Sequence, residues 1–390
     1  MTATSSPTVS TVTPEELELV REGVRELADR SVAPRAAEID RTGEFPGDIV
    51  SLFREKDIFA LAFPGEYGGV GGSCSTLVVA IEELARVCAT SSLLLAVQAL
   101  GSFPIILGGS DEQKQRFLPP LASGERLAAY ALSEPGAGSD PAGMTTRAQR
   151  DGDEYIIHGS KLWITNGGVA DTIVLFAKTD MEAGARGVSA FVLERERLTG
   201  FTATPIHGKL GIRGSNTAEL SFDGTRVPVA NRLGDEGSGF GLAMRVLDHS
   251  RPGIAGQALG IAQGALDYAV RYASEREQFG KPIAAFQGVQ FMLADMAAGV
   301  AAARALLYAA CEKVDTHAAD MTRFAAMAKL FASDTAMRVT TDAVQVLGGY
   351  GYVNEYPVER MMRDAKITQI YEGTNQIQRL VIARELARGH

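Results

Sequence analysis

From about residue 239 to its end the chain consists of long Ala- and Leu-rich stretches whose apolar residues recur at helical spacing. The pattern predicts helices over 239–274, 285–314, 319–347 and 374–388. Helices this long, joined by short connections, bury their apolar stripes against one another, which predicts a four-helix bundle. Upstream the pattern is different. Glu154–His158, Lys161–Thr165, Thr172–Lys178, Val188–Glu194, Glu219–Phe222 and Thr225–Val229 read as strands. Gly159-Ser160 and Asp223-Gly224 read as two-residue hairpin turns between their flanking strands. Earlier still, Thr13-Pro14-Glu15-Glu16 has the residues of a capping box. Leu17, Val20, Val24 and Leu27 then follow at helical period. Further helical patterns cover 46–57, 75–100 and 111–123. The expected fold class is α+β in the order helical, β, helical, divided at 14–130, 131–238 and 239–390. The Thr/Ser-rich residues 1–13 are expected to be a disordered tail.

Composition limits the function. A net charge of −9 argues against nucleic acid as the main ligand, because phosphate binding needs a basic face. Cys74, Cys88 and Cys311 are odd in number and scattered, so neither a disulfide framework nor a metal site is expected. A reducing, cytoplasmic location fits that usage. The first residues lack the apolar segment of a secretory signal. No unbroken apolar run reaches the ~18 residues of a membrane span, and none is expected. Gly65-Glu66-Tyr67-Gly68-Gly69-Val70-Gly71-Gly72 lacks GxGxxG spacing and a surrounding βαβ pattern, so it reads as a plain loop.

Chemistry concentrates at Tyr371-Glu372-Gly373-Thr374-Asn375-Gln376-Ile377-Gln378-Arg379. One carboxylate stands between an aromatic residue and a glycine, which lets the backbone approach a ligand closely. A carboxylate shielded from water has a raised pKa and becomes an effective general base. The alternative is the start of a C-terminal helix with Glu in its first turn.

Two further segments extend the pattern: Ala131-Leu132-Ser133-Glu134-Pro135-Gly136-Ala137-Gly138-Ser139-Asp140, and the run from Gln345 through Gly348, Gly349 and Gly351 to Glu355, Arg360 and Asp364. Together the three segments resemble the acyl-CoA dehydrogenase family, over residues 14 to 388, and are similar to its short-, branched- and medium-chain types. The resemblance implies a helical N-terminal domain, a β-barrel or sandwich middle domain and a C-terminal helical bundle. It also implies FAD and oxidation of an acyl-CoA thioester. Tyr130, Leu132, Ser133 and Ser139 would then meet flavin, with Ser139 also near CoA. Trp163, the only tryptophan, would lie beside the flavin with Ile164 and Thr165. A lone Trp in a strand is otherwise core packing. Arg276, Gln278, Phe279, Gln287, Gln345, Gly348 and Gly349 would reach the FAD of a neighbouring subunit, with Thr374 and Gln376 completing its contacts. Arginine suits a diphosphate because its planar fork pairs with phosphate oxygens. For Arg276 alone a charged helix end is the competing reading.

Asp248, Ser250 and Arg251 read as a helix start before Pro252, and the resemblance places them, with Tyr371 and Gly373, at the CoA thioester. Some family types carry the base at the position of Ser250; here that position holds Ser and the acid is Glu372. The implied chemistry is removal of the α-proton by Glu372 and departure of the β-hydrogen as hydride. The Glu372 backbone N–H and a flavin ribityl hydroxyl would polarise the thioester carbonyl. Small residues on the helix around Ser92, Leu93, Ala96 and Leu100 leave the acyl length open. The expected partners are an electron-transfer flavoprotein and further copies of the chain in a homotetramer. Two alternatives remain. An oxidase of the same fold would use O₂, although such enzymes usually carry an additional C-terminal domain and this sequence ends at His390. A non-catalytic flavoprotein would bind nucleic acid, usually with a basic added domain and a damaged base motif.

Overall fold

The structure, a computed structural model, describes residues 12–389; most of the tail expected over 1–13 lies outside them. Helix α1 (Pro14–Leu27) starts at the capping box, with Thr13 and Glu16 each accepting from the other's backbone N–H. Short helical turns lead to α2 (Ala36–Thr42) and α3 (Gly47–Glu55). The helix expected over 75–100 is two helices, α4 (Cys74–Ala85) and α5 (Ala89–Gly108), because Cys88 adopts an extended conformation between them. Helix α6 (Asp111–Ala122) follows, again from a capping box, here Ser110 with Gln113.

Eight strands form one sheet: β1 (Ala128–Ala131), β2 (Arg147–Asp151), β3 (Glu154–Thr165), β4 (Thr172–Lys178), β5 (Val188–Glu194), β6 (Phe201–Pro205), β7 (Thr217–Pro228) and β8 (Arg232–Leu233). The order is β6-β7-β3-β2-β4-β5-β8, with β1 parallel to β4. Neither expected hairpin exists. Each pair of short strands is one long strand, and β3 and β7 pair with each other along their length. Gly224, at φ +70, is the extra residue where the register shifts between Ile157 and His158, and Gly159 stays in the ladder opposite Phe222. An Asp-Gly pair with a left-handed glycine suits a bulge as well as a turn, so the local signal was ambiguous.

The sheet serves two cores. Tyr155 and Ile157 of β3, Leu220 and Phe222 of β7, and Leu175 and Phe191 of β4 and β5 pack together, so the sheet curls over itself. The alternate residues Val174, Phe176, Ala190 and Val192 face the helices. Strands β4 and β5 are therefore buried on both faces.

The C-terminal part begins with α7 (Gly239–Glu275). A small hairpin of β9 (Glu277–Gln278) and β10 (Lys281–Pro282) connects it to α8 (Gln287–Asp315), α9 (Met321–Leu347), α10 (Pro357–Thr368) and α11 (Asn375–Ala387). The sequence pattern did not reveal α10, whose narrow stripe of Val358, Met361, Ala365 and Thr368 is diluted by charged residues. Nor do Asp248 to Arg251 start a helix: they lie inside α7, which continues through Pro252. The proline removes one backbone donor there, and the helix tolerates it because both flanks are packed. Helices α5 and α8 are long and apolar enough to cross a membrane by length and composition, although neither contains an unbroken apolar run of that length. Helix α5 is a buried core helix, whereas α8 leaves most of its surface uncovered by the rest of the chain.

Candidate functional site

Glu372 lies in the tight connection between α10 and α11, with φ +51, followed by Gly373 at φ +91. Thr374 then caps α11, its hydroxyl accepting from the Ile377 N–H. Two neighbouring helices hold this turn. From α7, Ser250 Oγ donates to Glu372 Oε2 at 2.5 Å, and Gln257 accepts from the Tyr371 hydroxyl. From α9, Lys329 Nζ donates to the Gly373 carbonyl at 2.8 Å. Gln378 Nε2 reaches the carbonyls of both Glu372 and Gly373, at 3.1 and 2.9 Å. The Glu372 N–H has no partner among the described residues.

Burial pushes the Glu372 carboxyl up from its ordinary 4.5 to about 6, against the opposing pull of the Ser250 hydroxyl, Arg251 and Lys329. The group is thus mostly ionised at neutral pH and close enough to neutrality to accept a proton readily. Arg251 is almost fully buried, bonded to Asp248 at 2.5 Å, and Asp248 also accepts from Thr322 on α9. Two polar atoms beside the carboxylate, Tyr130 Oη and Arg251 Nε, are buried without a hydrogen-bond partner. Such atoms are costly unless something else satisfies them.

Tyr130 is on β1, its ring 5.0 Å from Phe176. The chain then turns through Leu132 and Ser133 and lies against β3. The Leu162 N–H donates to the Ser133 carbonyl at 2.9 Å, and Lys161 Nζ bonds the Leu132 carbonyl and Glu134, at 2.9 and 2.8 Å. Glu134 also accepts from the backbone of Thr145 and Thr146, and Lys161 with those donors holds its carboxyl at about 2. The structure therefore brings the segments around 130–134 and 161–165 together. Ile164 is buried in the sheet core and Thr165 ends β3. Trp163 lies in a second register shift, at φ +65 and 62% exposed, so it is not a core residue of this chain. Ser139 is exposed beyond the Pro135-Gly136 turn, and Gln376 is exposed at the start of α11.

The remaining expected contacts form a separate group. Arg276 follows α7 with its guanidinium 5.3 Å from the centre of the Tyr350 ring, joining the β9–β10 hairpin to the glycine turn after α9. Gln278, Gln287, Gln345, Gly348 and Gly349 are exposed there, and Phe279 at the hairpin tip is 93% exposed. A side chain at Gly349 would meet nothing within 4 Å, so no contact within this chain requires glycine there. No hydrogen bond or ring contact among the described residues links this group to Glu372.

Sequence reasoning missed Gln257, Gln378, Lys161 and Lys329. Lys329 left a readable signal: it interrupts the buried alanine stripe of Ala325, Ala328, Ala332 and Ala336 on α9. A lysine on a core face is rarely tolerated without a polar partner.

Family models match nearly the whole chain: acyl-CoA dehydrogenase N-terminal domain over residues 14–125, middle domain over 129–225 and C-terminal domain over 237–387. A short-chain-specific acyl-CoA dehydrogenase of Clostridium acetobutylicum is 49% identical over 374 residues, covering 96% of this chain and 98% of that one. A solved chain from work on the electron transferring flavoprotein of Acidaminococcus fermentans superposes with a TM-score of 0.94 at 46% identity, covering 97% of this chain and 100% of its own. A glutaryl-CoA dehydrogenase of Mycobacterium smegmatis, solved in complex with FADH2, gives a TM-score of 0.90 at 31% identity, covering 97% of this chain and 96% of its own. With all three of its domains matched in order around the Glu372 turn, the chain belongs to the acyl-CoA dehydrogenase family of flavoprotein oxidoreductases.

Proposed function

We propose that this chain oxidises an acyl-CoA to its trans-2-enoyl-CoA with Glu372 as the base, and that its electrons pass to an electron-transfer flavoprotein. The observation that carries this reading is the buried Glu372 carboxyl at about 6, beside a free backbone N–H and the unpartnered Tyr130 and Arg251 atoms. FAD, when bound, would supply the acceptor for the β-hydrogen as hydride. The residues present fit such a group: the Leu132–Ser133 segment and β3 offer fixed backbone, and Trp163 offers an exposed ring beside them.

Ser250 and the Lys329-bonded backbone hold Glu372 so that its carboxylate takes the α-proton of the thioester. The Glu372 N–H is free to donate to the thioester carbonyl and stabilise the charge that develops there, a role worth roughly 3–4 kcal/mol in other enzymes. Gly373, without a side chain, leaves space for the thioester. Burial of Tyr130 and Tyr371 around the carboxylate limits water at the reacting carbon.

Arg276, Gln278, Phe279, Gln287, Gln345, Gly348 and Gly349 are read as contacts to the FAD of a neighbouring copy. Their exposure, and the absence of any intrachain reason for glycine at 349, support that reading. The uncovered apolar surface of α8 and the exposed Phe291 and Leu380 support a homotetramer. The test of the base is anaerobic reduction of bound flavin by acyl-CoA in Glu372→Gln. The variant should retain FAD and lose on the order of 10⁴-fold in reduction rate, and a rate within about tenfold of wild type would reject Glu372 as the base.

A further inference from the structure

The geometry points to Lys329 as a positioning residue of the base turn: its ammonium fixes the left-handed Glu372–Gly373 backbone by bonding the Gly373 carbonyl and brings a positive charge to that turn. The inference rests on Glu372 being the base.

The backbone at this turn is unfavourable on its own. Glu372 is a non-glycine residue at φ +51, and Gly373 follows at φ +91. A left-handed non-glycine residue costs about 1–2 kcal/mol and persists only where its surroundings hold it. Here the Gly373 carbonyl receives two donors, Lys329 Nζ at 2.8 Å and Gln378 Nε2 at 2.9 Å. Lys329 also donates to Asn375 Oδ1 at 3.0 Å, and Asn375 is bonded in turn to Ser333 and Asp334. One side chain on α9 thereby fixes both the last residue of the turn and the first residue of α11.

Packing alone does not explain a lysine here. Lys329 is 0% exposed and stands among buried alanines. No carboxylate lies within ion-pair distance of it among the described residues. Burying an ammonium without a paired anion is costly, and an apolar side chain on this stripe would avoid that cost. What an apolar side chain could not supply is the pair of donors to the Gly373 carbonyl and Asn375, and a positive charge at the base turn. The charged groups that act on it are Glu372 in the turn and Arg251 on α7. On its own helix is Asp334, which pairs with Arg379 of α11 at 3.1 Å. Of these, Glu372 is the strongest charge influence on Lys329, raising its affinity for a proton against the effect of burial, which brings it down to about 7. The same attraction favours the ionised form of Glu372.

The experiment uses the FAD-loaded enzyme and follows anaerobic flavin reduction against pH in Lys329→Met, with Glu372→Gln in parallel. Removing the hydrogen bond should lower the limiting rate on the order of 10- to 100-fold with KM within about threefold, since a misplaced base loses rate rather than binding. Removing the charge should move the acid limb of the rate upward by about one pH unit. Lys329→Gln keeps a donor for the Gly373 carbonyl without the charge. It should recover part of the rate while keeping the shifted limb, and it carries the same readings if the methionine variant does not assemble with FAD. An unmoved acid limb in FAD-loaded variants would overturn the inference, whether or not the rate falls. Activity surviving in Glu372→Gln would instead overturn the assignment of the base itself.

Discussion

Ser250, in the middle of α7, donates its hydroxyl proton to Glu372 Oε2 at 2.5 Å across 122 residues of sequence. The bond favours the charged carboxylate, so it opposes the burial that raises Glu372 to about 6. A base must be deprotonated to act. The rate of flavin reduction should therefore fall as pH drops through about 6 in the wild type. In Ser250→Ala one stabilising donor is lost and the acid limb should move to higher pH, lowering the rate near neutrality. A limb that stays in place would show that the hydroxyl does not bond the base in solution.

The same group makes a prediction for stability with the opposite sense from activity. The folded-state value of Glu372 is raised from 4.5 to about 6, so its neutral form is the one the fold prefers. That preference stabilises the fold below the unfolded value and is lost as pH rises through the folded one. Above about pH 6 the wild type carries an ionised carboxylate, shielded from water, that Glu372→Gln lacks. The variant should be more stable at neutral pH by on the order of 1 kcal/mol, and indistinguishable near pH ~4.5. Melting temperatures of both proteins at the two pH values test this; a variant that is less stable at neutral pH contradicts it.

The sequence carried the class of each part more reliably than its details. Long helical periodicity announced α7, α8, α9 and α11, because each buries a continuous stripe. It missed α10, where Glu359, Arg360, Arg363, Asp364 and Lys366 crowd a short helix. Asp-Gly at 223–224 and Gly-Ser at 159–160 looked like turns, but β3 and β7 pair across a distance of sequence that local signals do not report. Glu372 was legible from its immediate neighbours. The groups that set its properties were not: Ser250, Gln257 and Lys329 converge on it from two other helices. Lys161 was similarly hidden. Alternation places it on β3, but only the fold shows its ammonium bonded to the Leu132 carbonyl and Glu134.

Arg276 offers a test of the proposed shared site. It is exposed, stacked near Tyr350, and makes no ion pair among the described residues. If its guanidinium binds the diphosphate of a neighbour's FAD, Arg276→Ala should weaken FAD retention and assembly together. Dilution followed by gel filtration, with the flavin-to-protein absorbance ratio and light scattering read on the same peak, would show both losses. A fall on the order of 10-fold or more in FAD affinity is expected from removing a bidentate phosphate partner. Full occupancy in dilute Arg276→Ala would leave Arg276 as a surface charge.

The fate of the electrons separates a dehydrogenase from an oxidase. Buried Arg251 and the partly buried Tyr130, Tyr371 and Glu372 surround the reacting region, and a bound acyl chain would close it further. Oxygen would then reach the reduced cofactor slowly while product stays bound. Trp163, by contrast, is exposed at the edge of β3, next to the segment proposed to hold the flavin, where a protein acceptor can approach. Substrate should thus reduce the enzyme rapidly, reduced enzyme should persist in air, and sustained turnover should require an electron-transfer flavoprotein or an artificial one-electron acceptor. The measurement is hydrogen peroxide formation in air-saturated buffer with acyl-CoA alone, set against the acceptor-coupled rate on the same preparation. A peroxide rate equal to the acceptor-coupled rate would place the enzyme among oxidases; a rate lower by on the order of 100-fold is expected when the site excludes solvent and oxygen.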